Sequence, residues 1–250
     1  MRLSIIIPIL NSHEITRRQI LHFKKMDLPD DVEIILIDDG SDPPLDFPGH
    51  GLKNLTIYAT NDRRPWTVSL AKNQGVRMSK ADYVLNTDID HILVKETIMA
   101  ARDFSGDRMT FKREFGVLDE NGNFTQDVET VLSYGLLPER IKKKGLRAPP
   151  HGNSYVMRRC LFWEAGGYGS GDINKYPPMD ETNFRAAYRK LMAEGRATTL
   201  DAELRPYIYL IPNGYYCGDP DFNPFGLFHG LSRSKWGFSQ KFMEKMKQAR

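Results

Sequence analysis

Short apolar runs that stop on polar clusters set the rhythm of the first 95 or so residues. The run SIIIPIL ends at Asn11, VEIILI ends at Asp38-Asp39, and ADYVLNT ends at Asp88-Ile89-Asp90. Runs of this length, separated by helix-like stretches, read as buried strands of a mostly parallel sheet. In open α/β sheets a ligand sits beyond the carboxyl ends of the strands. Three strands would therefore deliver polar ends to one crevice, and the last carries two carboxylates one residue apart. That pattern points to a metal-assisted nucleotide site.

The same pattern predicts the elements. Leu3 to Ile7 is a strand whose ladder should end at Pro8, which has no N–H to donate. Asn11 or Ser12 caps a helix over 13–26, stopped near Leu28-Pro29. Glu33 to Ile37 and Leu55 to Ala59 are strands, with a proline- and glycine-rich loop from Ser41 to Gly51 between them. Val68, Ala71, Gly75 and Met78 fall at helical spacing. The glycine on that face permits close approach to the sheet, at about 1 kcal/mol of helix propensity. Asp82 to Asn86 is the next strand.

Beyond about residue 100 the alternation of strands and helices weakens. Met109 to Phe111 and Gly116 to Leu118 are expected strands around an Asn121-Gly122 turn. The basic segment Arg140 to Arg147 and the Pro149-Pro150 pair should interrupt regular structure. Ser154 to Met157 is a strand and Leu161 to Glu164 a short helix. Gly166 to Gly171 is a glycine loop, and Phe184, Ala187, Tyr188, Leu191 and Met192 mark an amphipathic helix ended by Gly195.

Composition narrows the class without choosing a chemistry. The 250 residues are 40% hydrophobic and 27% charged, ordinary for a soluble globular protein. With 35 basic and 32 acidic side chains the net charge is +3, which requires no nucleic-acid partner. Cys160 and Cys217 lack zinc spacing; they allow one disulfide, but free thiols in a reducing compartment are the favoured expectation. The N-terminal apolar run is too short for a signal peptide, and no apolar run of about 18 residues offers a membrane span. A cytoplasmic location is expected.

Two clusters carry the candidate chemistry. In an extended segment Asp88 and Asp90 point the same way, so both carboxylates can address one ligand. Mg²⁺ or Mn²⁺ takes hard oxygen ligands and combines one or two carboxylates with substrate phosphates. In Asp38-Asp39-Gly40-Ser41 a carboxylate can accept a hydrogen bond from a base or ribose, while Gly40 permits a tight turn.

Ser4-Ile5-Ile6-Ile7-Pro8 with Asn11, Ile37-Asp38-Asp39-Gly40-Ser41, Ala71-Lys72-Asn73-Gln74-Gly75 and Thr87-Asp88-Ile89-Asp90 together resemble family 2 glycosyltransferases. The resemblance implies a GT-A fold, with a Rossmann-like, mostly parallel central sheet flanked by helices. It implies one domain over 1–250: a donor half to about residue 95, an acceptor half over 96–220, and a C-terminal flap over 221–250. It further implies a nucleotide-diphosphate-sugar donor lined by Pro8, Asn11, Asp38, Asp39, Lys72, Asn73 and Asp88. Lys72 stands where the family usually has arginine, and Arg63, Arg64 and Trp66 can line the same pocket.

For the cation, Mn²⁺ or Mg²⁺, the resemblance implies Asp90 as principal ligand of the DxD motif, with Asp88 and a late histidine, His229. Gly166-Gly167-Tyr168 and the acidic start at Asp180-Glu181 resemble the family's glycine loop and catalytic helix. Either Glu181 or Asp180 would be the base of an inverting transfer; Asp180 is also a good helix N-cap. His151 and Asn153 are candidates for acceptor contact. The acceptor itself is open: a glycan, a lipid-linked sugar, a protein or modified nucleic acid. Arg140 to Arg147 and the tail from Arg233 to Lys247 allow contact with an anionic surface. Two rivals share the architecture. A sugar-phosphate nucleotidyltransferase would want a basic, glycine-rich segment after the first strand, which Asn11 to Lys25 does not provide. A glycan- or nucleic-acid-binding protein without turnover would not need the acids.

Overall fold

The computed structural model describes residues 1–62, 67–149, 152–168, 180–200 and 204–212, the side chains of 180–182 excepted. In chain order the first elements are β1 (Leu3–Ile9), α1 (His13–Lys24), β2 (Val32–Asp38), β3 (Leu55–Ala59), α2 (Val68–Met78) and β4 (Tyr83–Asn86). There follow β5 (His91–Ile92), α3 (Lys95–Asp103), β6 (Arg108–Thr110), β7 (Lys112–Phe115), β8 (Val117–Leu118), β9 (Phe124–Thr125), α4 (Val128–Ser133) and α5 (Pro138–Lys144). The last are β10 (Tyr155–Arg158), α6 (Arg159–Glu164), α7 (Asp180–Ala193) and β11 (Tyr207–Leu210).

The near-continuous apolar runs become strands covered on both faces. Every residue of β1 is buried, as is nearly every residue of β2. They form a six-stranded sheet in the order β3-β2-β1-β4-β10-β6, in which β1 to β4 are mutually parallel and β10 runs against both neighbours. Side chains alternate along β1. Leu3, Ile5, Ile7 and Ile9 face Ile20 and Phe23 of α1, while Ile6 joins Ala71 and Val76 of α2 on the opposite face. Helices therefore cover both sides, as the α/β pattern requires.

Pro8 does not end β1. It stays in register beside Ile37, and pairing continues to Ile9 and Asp38. The reason lies in which side its nitrogen faces. The carbonyl of Ile6 accepts from Thr87 N on the β4 side, and that of Ile9 accepts from Asp39 N on the β2 side. Even-numbered positions thus address β4, whose pairing stops at Ile6. The missing N–H of Pro8 falls where no strand asks for it.

Helix α2 sits closer to the sheet than a side chain would allow. A Cβ on Gly75 would lie 2.4 Å from Cγ2 of Ile6 and 3.3 Å from Cγ1 of Ile37. Both are branched side chains held in the core, so neither can step aside. The buried face is Ser69, Ala71, Lys72, Gly75 and Val76, rotated from the apolar periodicity, with Val68 half-buried and Met78 39% exposed. Gly75→Ala is expected to lower stability by roughly 1–2 kcal/mol, because a contact of 2.4 Å puts the overpacking in the upper part of the usual range of about 1–3 kcal/mol, above the roughly 1 kcal/mol gained in helix propensity. Urea unfolding checks this; an unchanged or higher midpoint would mean that α2 lifts off the sheet without cost.

Further along, the structure departs from the sequence pattern in two places. The strand expected around 109–111 is two: β6 joins the large sheet, and β7 joins a smaller one in the order β5-β11-β7. The Asn121-Gly122 turn joins β8 to β9, organised by the Asp119 carboxylate, which accepts from the backbone of Asn121 and Asn123. The basic segment does not lack regular structure; its first part is α5. Pro138 opens that helix, Lys142, Lys143 and Lys144 lie in its last turn, and the Gly145 N–H returns to the Ile141 carbonyl with φ +59°. Those are ordinary start and stop signals, and cations favour a helix C-terminus. Cys160 is a free, exposed thiol, and Cys217 lies outside the described residues. Among the described residues no helix is long and apolar enough to cross a membrane.

Candidate active site

Because β2 and β4 flank β1 in parallel, their carboxyl ends open on one edge of the sheet. The loops there hold one another. Asn11, at φ +48°, donates its N–H to Ser41 Oγ at 2.9 Å and accepts from Asp42 N at 2.7 Å through its side-chain oxygen. Asp38 accepts from the N–H groups of Ser41 and Leu45, one on each carboxylate oxygen and each at 2.8 Å. It shapes the loop after β2. Gly40, at φ +81°, makes the turn that brings Ser41 back.

Asp39 turns the other way. Its Oδ1 accepts from Thr67 Oγ1 at 2.8 Å and from Thr60 Oγ1 at 3.5 Å. Thr67 precedes the first turn of α2, so Asp39 ties the end of β2 to that helix. The side chain is nearly fully buried, and burial pushes its carboxyl up to about 7, against the lowering pull of Thr67.

One turn into α2, Lys72 is buried to 2% exposure with Nζ 2.8 Å from Asp88 Oδ1 and 5.5 Å from the centre of the Tyr168 ring. Asp88 and Asp90 remain partly open at 26% and 22%. His91 follows them at the start of β5, and its Nδ1 stands 3.3 Å from Asp90 Oδ1. Among the described residues, ligand-capable atoms of Asp88, Asp90 and His91 lie within 4.8 Å of one another.

The two carboxylates fit a hard divalent cation: both offer oxygens, and both side chains are partly exposed. Asp88 already neutralises Lys72, which leaves Asp90 as the stronger attraction for a cation. His91 is buried, and burial pushes its imidazole below the usual histidine range, against the upward pull of Asp90 and Asp88.

Asn73 clamps a neighbouring loop. It donates to the Tyr168 carbonyl at 2.6 Å and accepts from the Tyr168 N–H at 2.9 Å. Gly167, at φ +61°, makes the approach possible, since a Cβ there would stand 3.0 Å from Asn73 Oδ1. Tyr168 and Tyr155 share a hydroxyl–hydroxyl bond at 2.8 Å, and Phe184 of α7 stacks on Tyr155 at 5.6 Å and lies 5.1 Å from Tyr168. Asp180 begins α7, but the side chains of Asp180 and Glu181 lie outside the described residues, as do His229, His151, Arg63, Arg64, Trp66 and the basic tail. Pro8 sits in β1 beside Ile37 at the crevice edge. The sequence pattern did not single out Thr67, His91, Arg113 or Ser154. Only His91 carried a signal, its place directly after Asp90.

Residues 4–102 match the family model described as glycosyl transferase family 2. No curated protein matches the chain in sequence. Among solved structures, S. aureus TarS is similar with a TM-score of 0.52 and 18% identity, over 86% of this chain and 37% of that one. TarS 1–349 from the same organism, in complex with UDP, gives 0.52 and 19%, over 86% of this chain and 61% of the other. The chain thus spans less than two thirds of the length of either. At such identity the likeness is one of fold, and the motifs at Pro8, Asp38-Asp39, Lys72 and Asp88-Asp90 all fall inside the matched segment. Residues 4–102 therefore match the family model of glycosyl transferase family 2, and the chain has an α/β fold similar to that of the TarS structures, of the GT-A type.

Proposed function

We propose that the chain is a metal-dependent glycosyltransferase that moves a sugar from a nucleotide-diphosphate donor to an acceptor hydroxyl, inverting the anomeric carbon by direct displacement. One observation carries the reading. The Asp39–Thr67 and Lys72–Asp88 contacts tie the ends of β2 and β4 to α2, so Asp39, Lys72 and Asp88 lie along one edge of the sheet. The UDP held by the TarS structure of the same fold supports a nucleoside diphosphate there.

In this reading Asp39 accepts a base N–H, and Pro8 and Asn11 shape the pocket around it, with Asp38 holding the loop. Asp88 addresses the ribose, while Lys72 keeps that carboxylate in place and Asn73 sets the Tyr168 loop beside it. Asp90 with Asp88, and His229 from the C-terminal segment, would hold Mn²⁺ or Mg²⁺. When bound, that cation neutralises the diphosphate and stabilises charge on it as it leaves. Glu181, or else Asp180, takes the acceptor proton from the first turn of α7. The chain works as one domain, donor half first. Incubation with a panel of nucleotide sugars and acceptors, reading nucleoside diphosphate with and without chelator, tests the reading. Pyrophosphate from nucleoside triphosphate and sugar phosphate would contradict it.

The Asp39 carboxyl gives a pH signature. Its ionised form is the stronger acceptor for a base N–H, and the proposed contact uses that form. Below about 7 it must first lose a proton, so UDP affinity should fall about tenfold per pH unit on that side and level off above. Asp39→Asn should remove this dependence, the diphosphate's own titration being common to both proteins. Stability runs in the opposite sense. A carboxyl raised from 3.8 to about 7 on folding stabilises fully below its unfolded value, and that contribution is lost as pH rises through 7. Asp39→Asn should therefore gain stability over wild type at pH 8 but not at pH 4. Calorimetric titration of UDP from pH 5.5 to 8.5 reads the first effect; parallel profiles for both proteins would exclude Asp39 from the base contact.

A further inference from the structure

Helix α1 covers an edge of the segment that carries the two carboxylates. In the smaller sheet β5 has one strand neighbour, β11, so its outer edge joins no ladder and its polar groups there need other partners. The backbone divides accordingly. The Asp90 carbonyl accepts from Ile211 N at 2.9 Å, on the β11 side. The carbonyls of Ile89, His91 and Leu93 meet α1 instead. Gln19 Nε2 donates to Ile89 at 3.3 Å and to His91 at 2.9 Å, and His22 Nε2 stands 3.1 Å from the Leu93 carbonyl. Ile15, one turn before Gln19, shares an apolar cluster with Ile92 of β5. Positions 15, 19 and 22 form one stripe of a helix, so a single face of α1 serves this segment.

Both partners of the Gln19 amide are carbonyl oxygens, which only accept, so its nitrogen must face them and each of its two protons has a bond. Gln19 is buried, and its Oε1 has no partner among the described residues. The amide thus leaves its own oxygen unsatisfied while both its donors serve the backbone on either side of Asp90. We propose that Gln19 is a positioning residue: by holding the carbonyls of Ile89 and His91 it fixes the backbone from which the Asp90 carboxylate meets the cation. Loss of a group that orients a metal ligand commonly weakens metal binding by about 10–100-fold, and one acting through the backbone belongs near the lower end. The cation's part in this rests on the function proposed above; the hold on the segment does not.

Gln19→Met keeps the length of the side chain and removes both donors. Ile20→Val is the control: it lies on the same helix, its side chain packs in the core with β1, and it too should lower the unfolding midpoint. The first readout needs neither metal nor donor. Amide hydrogen exchange at His91 and Ile211, which donate to the Asp88 and Asp90 carbonyls, should be about tenfold faster in Gln19→Met than in Ile20→Val, as expected for the loss of two hydrogen bonds. Calorimetric titration of UDP with and without Mn²⁺ supplies the second. The gain in affinity from Mn²⁺ should shrink about tenfold in Gln19→Met and stay at the wild-type value in Ile20→Val, with UDP affinity in chelator within about threefold throughout. A wild-type gain from Mn²⁺ in Gln19→Met, exchange rates equal to those of the control, or equal losses in both variants would overturn the proposal. Wild type gives a readout that needs no folded variant: both side-chain amide protons of Gln19 should be protected from exchange, and free exchange of either would overturn it as well. No effect of Mn²⁺ on UDP binding by wild type would count against the proposed function, with the exchange data still deciding whether Gln19 holds the segment.

Discussion

Asp90→Ala is expected to lower sugar transfer about a thousandfold or more while leaving the unfolding midpoint close to wild type. The size follows from the charge that the departing diphosphate gains. A cation at that position is worth several kcal/mol, at about 1.4 kcal/mol per tenfold in rate. The intact fold follows from what Asp90 does structurally. Its backbone carbonyl accepts from Ile211 at 2.9 Å, which alanine preserves, and its carboxylate is partly open. Asp88→Ala makes the contrast. It removes a partner of the buried Lys72, so stability should fall together with activity. Steady-state rates and thermal unfolding of the two variants, side by side, check this. Turnover of Asp90→Ala within tenfold of wild type would take that residue out of the mechanism.

The second large effect is expected at the start of α7. Glu181→Gln should keep UDP binding and lose about 10²–10⁴ in turnover, the usual range for a general base. The placement of α7 motivates this. Phe184, one turn after Asp180 and Glu181, packs on Tyr155 and Tyr168, and Tyr168 lies over Lys72 next to Asp88. The N-terminal part of the helix is therefore packed, through Phe184 and Tyr168, beside Lys72 and Asp88. Asp180→Asn is the control, because asparagine caps a helix as well as aspartate does. A larger loss in Asp180→Asn than in Glu181→Gln would assign the base to Asp180. A fall in UDP affinity with unchanged turnover would make either residue a donor contact.

How far these elements can be read from the chain depends on where their partners lie. The strands β1, β2 and β4 were legible because runs buried on both faces leave little doubt about type, and Gly75 declared the close approach of α2. Pro8 misled because a residue's effect on a ladder depends on which side it faces, and that is set by β4, dozens of residues away. The basic run over 140–147 hid a helix whose signals, Pro138 and Gly145, lie at its edges. At the site, Lys72 meets Asp88 with Asp90 close by, and Asp39 is tied to Thr67 at the start of α2. Asp38 and Asp39 could not be told apart by spacing, since their partners are the backbone of Ser41 and Leu45 in one case and Thr67 in the other. Arg113 was beyond reach for the same reason: nothing local marks a residue that meets His91 from two strands across the smaller sheet. The clear rhythm of strands and helices fades near residue 100, and the family match ends at residue 102.

A calorimetric titration of UDP and the other nucleoside diphosphates, in Mn²⁺ and in chelator, against wild type and Asp90→Ala, meets the central claim most directly. Binding at least tenfold tighter with Mn²⁺ in wild type, and no metal dependence in Asp90→Ala, is the predicted result. Equal affinity with and without Mn²⁺ in wild type, or full metal dependence in Asp90→Ala, would contradict it.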